Sequence, residues 1–405
     1  MTLLDSITRA AAAADDSLLS AAAPNTLIIL NPNGIFPNLK PDRESLTSGQ
    51  PLLRVSGWSI SPTDSDIIRC TSKFSKSIRK KLKKRKTLNH VGFLQLLNTF
   101  LGTVGEKLGV PLDSKASSHP NSTSFARSSI KKLRCFIGRE VAGLLAEACV
   151  VLELWELLET IIVSELVGPF YLTNLVEKLV DQKRAKLLCL CVKHIADLRP
   201  AEILAVLRFF LSPPPDAYNG ILEVKKEWEK QAVLAIEKAT KNVVPKHAAI
   251  LAKEASILLM LAHDSFSASE SCLHYVFGTS NIDGLVLSSV FSSLSGREVL
   301  TLIRYLVKWL KKYERFPEAG PCLQANSVLS LSVCDVVPSF ESIVGALSLV
   351  LDVHFSSLVL NTEFYNELKD AQEVVNDLAA EADASSPLDC LVNHLKYQFS
   401  KNESQ

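Results

Sequence analysis

From Phe125 onward, apolar residues recur every three to four positions almost without a break, which predicts a succession of amphipathic helices. Ile130, Leu133, Ile137, Val141, Leu144 and Leu145 set the pattern, and Leu152, Leu154, Trp155, Leu158 and Ile161 continue it. Further helices are predicted at Tyr171–Val180, Ala185–Ile195 and Pro200–Leu211, the last with proline at its first position. The triple proline at 213–215 stops that run. Helices resume at 221–239, 245–262, 268–276, 282–294 and 297–312, then at 322–333, 340–360, 363–382 and 387–399. Connections of two to eight residues are those of antiparallel neighbours.

The first quarter of the chain reads differently. An alanine-rich helix is predicted around residues 3–19. Six of the eighteen prolines then fall between residues 24 and 62, with strand-like runs at 26–30 and 52–60. Proline blocks helix continuation and pushes its predecessor toward extended geometry, so this stretch reads as an arm. Residues 111–124 form a polar linker. The resulting fold is all-α: a solenoid-like stack of antiparallel helical hairpins behind an irregular, proline-rich N-terminal arm with little strand. The expected division is 1–70 for the arm, 71–124 for a basic helix, a second helix and the linker, 125–215 for a first helical lobe and 216–399 for a second. No period of 34 or 40 residues with repeated signature positions accompanies it.

Composition agrees with this pattern. Hydrophobic residues make up 47% of the 405 and charged residues 21%, a globular balance. Only 16 glycines occur, where average usage would give about 28, so folds that spend glycine on turns and phosphate loops are disfavoured. The opening MTLLDSITR predicts no secretory signal. The apolar stretch 141–167 carries five glutamates, too many for a membrane span, and no membrane partner is expected. Nine cysteines without zinc-like spacing read as reduced core thiols.

The net charge of +1 hides a split. Between Ile67 and Arg139 there are seventeen Lys and Arg against Glu106 and Asp113, so this segment is +15 and the remainder −14. Its centre is KFSKSIRKKLKKRK, in which Lys73, Lys76, Arg79, Lys80, Lys81, Lys83, Lys84, Arg85 and Lys86 make nine basic residues of fourteen. Phe74, Ile78 and Leu82 recur every four residues, one narrow apolar line on an otherwise cationic helix. Three readings stay open: a nuclear or nucleolar import signal, a surface for RNA phosphates, or a solvated helix face. Three apolar anchors give little membrane insertion.

The chemistry-bearing motifs are missing. There is no Walker loop, dinucleotide fingerprint, HExxH or nucleophile elbow, and the eight histidines are dispersed. His263–Asp264 and Asp352/His354 have spacings that point the side chains to different helix faces. The chain therefore reads as a non-enzyme with no cofactor, metal or small-molecule substrate. Trp155, Trp228 and Trp309 read as core or interface anchors rather than stacking platforms. RYLVKWLKKYER at 304–315 is a basic amphipathic helix, readable as a solvated face or as a dock for an acidic partner.

The stretch SIVGALSLVLDVHFSSLVLNTEFYNELK at 342–369 resembles the closing helical region of nucleolar proteins of the small-subunit processome, the family of nucleolar protein eleven and its fungal relatives. Leu351, Asp352, Val353, His354, Phe355 and Leu358 carry the likeness, and FFLSPPP at 209–215 is compatible with it. Members usually carry an N-terminal β-propeller; this sequence shows no tandem blade pattern and is expected to have no room for one. The resemblance implies a nucleolar scaffold in early pre-ribosomal RNA processing, docking on other protein subunits of a ribonucleoprotein assembly through Leu351, Asp352, His354, Phe355 and Leu358. The basic run would supply import or contact with pre-ribosomal RNA. The competing reading is a general α-solenoid adaptor, cytosolic or nuclear, with no RNA role.

Overall fold

The computed structural model describes residues 61–84, 89–112, 123–240, 246–317 and 319–402. The predicted N-terminal helix, the strand-like runs, most of the polar linker, and Arg85 and Lys86 lie outside them. Sixteen α-helices and no strand are present among the described residues. In chain order they are α1 (Pro62–Lys83), α2 (His90–Leu108), α3 (Thr123–Leu133), α4 (Arg139–Val151), α5 (Trp155–Val163), α6 (Pro169–Asp181), α7 (Ala185–His194) and α8 (Pro200–Leu211). There follow α9 (Tyr218–Thr240), α10 (Lys246–His263), α11 (Ala268–Gly278), α12 (Gly284–Phe291), α13 (Gly296–Arg315), α14 (Leu323–Leu329), α15 (Phe340–Leu360) and α16 (Tyr365–Asn402).

The all-α stack is as the periodicity predicts. Helix α3 packs on α5, α5 on α7 and α7 on α9, while α4 packs on α6, α6 on α8 and α8 on α12. Two layers of alternate helices result, each bridged to the other by consecutive pairs such as α4–α5 and α6–α7. Helices α4, α6 and α8 begin at residues 139, 169 and 200, and α5 and α7 at 155 and 185. The hairpins therefore repeat every 30 or 31 residues over this region, shorter than the periods sought in the sequence.

The turns that set this spacing are built alike. Leu154, Leu166 and Arg184 each donate their backbone N–H to the carbonyl five residues back, at 2.8, 3.3 and 2.9 Å. The residues just before them, Glu153, Glu165 and Lys183, sit in the left-handed region at φ 55°, 58° and 56°. These are Schellman-type ends held by side chains that dislike the geometry. Replacing Glu153 by glycine relieves that strain and should raise stability by about 0.5–1 kcal/mol, read as a shift of the urea midpoint at unchanged slope.

Pro200 opens its helix as the sequence predicts, and other helix starts carry caps of the usual kinds. The Asn89 side chain accepts from the Gly92 N–H at 2.9 Å at the head of α2, and Ser267 with Glu270 closes a capping box on α11. Pro169 and Pro200 occupy first turns.

Four boundaries differ from the sequence reading. The arm does not reach residue 70, because α1 starts at Pro62 with Asp64 in its first turn, both compatible with a helix N-terminus. The triple proline turns the chain but does not divide the helices into separate lobes: α7 packs on α9 and α11, and α8 packs on α11, α12 and α13. One hydrophobic core runs from Phe74 to Val374. The helix predicted at 322–333 ends at Leu329, where Ser330 turns left-handed (φ 54°) into a 3-10 segment, Ser332–Val336. Finally, α16 runs through Pro387, where a break was expected, since a proline inside a helix forfeits one N–H bond without obliging the chain to stop.

Candidate functional site

The apolar line of the basic run is its packing face. Phe74 and Ile78 are buried, Leu82 is partly buried, and the Phe74 ring stacks on Phe100 of α2 with centroids 4.2 Å apart. Lys73, Lys76, Lys80 and Lys83 are exposed on the opposite side, at spacings of three and four. They mark a stripe about 15 Å long. Among the described residues none of these four, nor the half-buried Lys81, has an ion-pair partner, while Arg79 pairs with Glu140 at 2.6 Å. The cations are thus fixed to the body by the helix that carries them.

The tertiary fold adds what the sequence does not show. Helix α1 packs on α4, which brings Arg139, at the far end of the basic segment, beside Lys76 and Arg79. These three cations line a groove of about 580 Å3, with Phe136 on its rim at 48% exposure. Among the described residues of the lining Glu140 is the one acid, and Arg79 pairs with it. The amino end of α4 opens here, capped by Gly138 without a side-chain bond. No linear signal announces the grouping, because some sixty residues separate Lys76 from Arg139.

The second predicted surface divides between core and solvent. Leu358 is buried and Leu351 packs partly into the core. His354 is half-buried, its Nε2–H donating to the Phe291 carbonyl at 2.8 Å, so it ties α15 to α12. Only Asp352 and Phe355 point outward, Phe355 at 67% exposure. Val344, Val359 and Leu360 extend this apolar face, and Leu285 of the neighbouring α12 is 81% exposed. Ser332–Leu360 is long and apolar enough to cross a membrane by length and composition alone. Within the fold, one side of α15 (Ile343, Ala346, Leu347 and Val350) belongs to the core.

The basic helix at 304–315 finds its acidic partner inside the chain. On α13, Arg304 pairs with Glu367, Lys308 with Glu270 at 2.7 Å, Lys311 with Asp370 at 3.3 Å and Lys312 with Asp264 at 3.1 Å. These pairs leave this face little free charge for an outside ligand.

Buried titratable groups serve packing. Trp228, Phe266, His274, Tyr305 and Trp309 form one aromatic cluster with centroid separations of 4.8–5.8 Å. His274 accepts at Nδ1 from the Tyr305 hydroxyl (2.9 Å) and the Trp309 indole (3.3 Å), and donates from Nε2 to the Ala262 carbonyl (3.0 Å). Burial pushes its pKa down to about 3. The thiols of Cys149, Cys189 and Cys191 are buried, and burial raises each well above the ordinary range, the opposite of a reactive cysteine. Trp155 is partly buried under the Arg184 guanidinium, 4.4 Å from its ring. No cluster of three or more His, Cys, Asp or Glu is placed to hold a metal among the described residues.

A larger cleft, about 750 Å3, lies where α7, α11 and α15 meet the 3-10 segment, and contains Lys193 and Asp335. Lys193 donates to the Ser332 carbonyl at 2.5 Å, and desolvation lowers its pKa. Its charge is engaged within the fold.

Compared with protein-family models, curated proteins and solved structures, the chain matches none of them, so its reading rests on its own residues.

Proposed function

We propose that this chain is a helical scaffold of a nucleolar ribonucleoprotein assembly, acting in early pre-ribosomal RNA processing, which holds RNA along α1 and protein partners on the α12–α15 face. The observation that carries the RNA half is the stripe Lys73, Lys76, Lys80 and Lys83, unpaired among the described residues and held by Phe74 and Ile78. A solvated surface helix ordinarily intersperses acids with its bases; between Asp66 and Glu106 there are none. A row of ammonium groups releases counterions on meeting a phosphate backbone, and the helix that carries this one need not first be ordered. The C-terminal resemblance supplies the nucleolar setting and Phe355 the centre of the docking face.

The general adaptor reading retains one observation of its own. Phe355, Val359, Leu360 and Leu285 make an apolar face that needs no RNA to be useful.

Salt dependence separates the two. A single-stranded oligoribonucleotide bound by the full chain should show a steep fall of log K with log salt. Changing Lys73, Lys76, Lys80 and Lys83 together to glutamine should reduce that slope by about 3, at roughly 0.7 for each phosphate no longer neutralised. An unchanged slope would remove the RNA half. For the nucleolar half, the tagged chain should accumulate in the nucleolus with early processing factors, and a diffuse cytosolic distribution would leave only the adaptor.

A further inference from the structure

The groove between α1 and α4 carries more than charge. Thr71, Ser72 and Ser75 of α1 line it, and Ser75 is more than nine-tenths buried. Hydroxyls inside the helices of this chain commonly bond back to the carbonyl four residues earlier: Thr99 to Gln95, Thr103 to Thr99, Thr240 to Ile236 and Thr301 to Arg297, at 2.8–3.1 Å. The three groove hydroxyls have no such bond and no other partner among the described residues, so the lining of a cationic cleft carries hydroxyls open to a ligand. Opposite them are the first amides of α4, which lack a side-chain cap and sit at the positive end of the helix. Lys76 and Arg139 flank these groups, and the Phe136 ring stands half-exposed at the rim.

An anion that accepts several hydrogen bonds, next to a flat apolar group, satisfies all of these at once. We propose that this groove is a nucleotide subsite for single-stranded RNA, taking one phosphate between Ser75, Lys76, Arg139 and the amides of α4, and one base against Phe136. The proposal rests on the RNA reading of the α1 stripe and places one end of the strand. The stripe meets phosphates only, whereas the groove needs an unpaired base and so discriminates single strands from duplexes.

The test uses the full chain with a twelve-residue oligouridylate, followed by fluorescence anisotropy over a salt series. Phe136→Ala should weaken binding roughly five-fold or more with the salt slope unchanged, because stacking carries no counterion term. Phe136→Trp should restore it. Arg139→Gln should weaken binding and lower the slope by about 0.7. A duplex of equal length should be indifferent to Phe136→Ala. Circular dichroism of each variant checks the fold, and Phe136 is exposed enough that its removal should leave the spectrum unchanged. If Phe136→Ala binds like the parent while the stripe variant does not, the groove is no subsite and the stripe reading stands alone. If the parent shows no salt-dependent RNA binding, the stripe reading itself fails. If an acidic peptide of equal charge binds as tightly and loses as much with Phe136→Ala, the groove serves a protein segment and the proposal is overturned.

Discussion

Taking the pH from 7 to 3 should cost this fold about 4 kcal/mol through one side chain, His274. Its imidazole is fully buried, and its pKa falls from the ordinary 6.5 to about 3 because burial penalises the imidazolium. The unfolded chain takes up a proton near pH 6.5 while the folded chain stays neutral there, so stability is complete above 6.5. It drains away as pH falls toward 3, by about 2 kcal/mol at pH 5. Protonation would also turn Nδ1, which accepts from Tyr305 and Trp309, into a third donor among donors. Urea unfolding at pH 7, 6, 5 and 4 should trace this loss. His274→Phe should flatten the profile between pH 6.5 and 4, at the cost of orphaning the Ala262 carbonyl, the Tyr305 hydroxyl and the Trp309 indole, about 1–3 kcal/mol for each group left unpaired. A parent as stable at pH 5 as at pH 7 would show that the ring is not sealed from water.

The same residue marks how far the sequence could be read. His274 lies in SESCLHYVF, and its neighbours give no sign of a hydrogen-bonded histidine, because its partners come from residues 262, 305 and 309 on other helices. Element type was plain wherever apolar spacing was periodic: α5 to α8 lie within a few residues of the predicted stretches. Element endings were less plain where they depend on left-handed residues that are neither glycine nor asparagine, as at Glu153, Lys183 and Ser330. Composition alone does not flag those positions. Pro387 misled for the converse reason, since a strong local stop signal yielded to a helix that continues through it. The packing side of α1 was visible in Phe74, Ile78 and Leu82, a pattern internal to one helix. The groove was invisible, because Arg139 reaches Lys76 only through the packing of α4 on α1. The likeness at 342–369 named five docking residues without separating those that face inward. Burial of Leu358 and the bond from His354 to Phe291 make that separation, leaving Asp352 and Phe355 as the two that face outward.

Gly278→Ala should destabilise the protein by roughly 3 kcal/mol, the upper end of what overpacking costs. A Cβ at this position, the last residue of α11, would lie closer than 3.0 Å to the carbonyl oxygen, carbonyl carbon and Cα of Val336. All three obstacles are backbone, and Val336 is itself buried, so no rotamer change relieves the clash. Gly143→Ala is the informative comparison. Its Cβ would also fall within 3.0 Å of a neighbour, but that neighbour is the Tyr171 ring, half-buried and able to swing toward solvent. The second substitution should therefore cost less, about 1–2 kcal/mol. The difference also tests how the 3-10 segment is held. Lys193 on α7 donates to Ser332, Gln231 on α9 accepts from the Val333 N–H at 3.0 Å, and Gly278 lets α11 close on Val336. Pushing the segment outward at Gly278 strains all three attachments together. Equal losses in the two variants, measured by urea unfolding followed in the far ultraviolet, would mean that the segment yields as easily as a side chain does. A loss confined to Gly278→Ala would establish the joint between α11 and the 3-10 segment as the tight point of the stack.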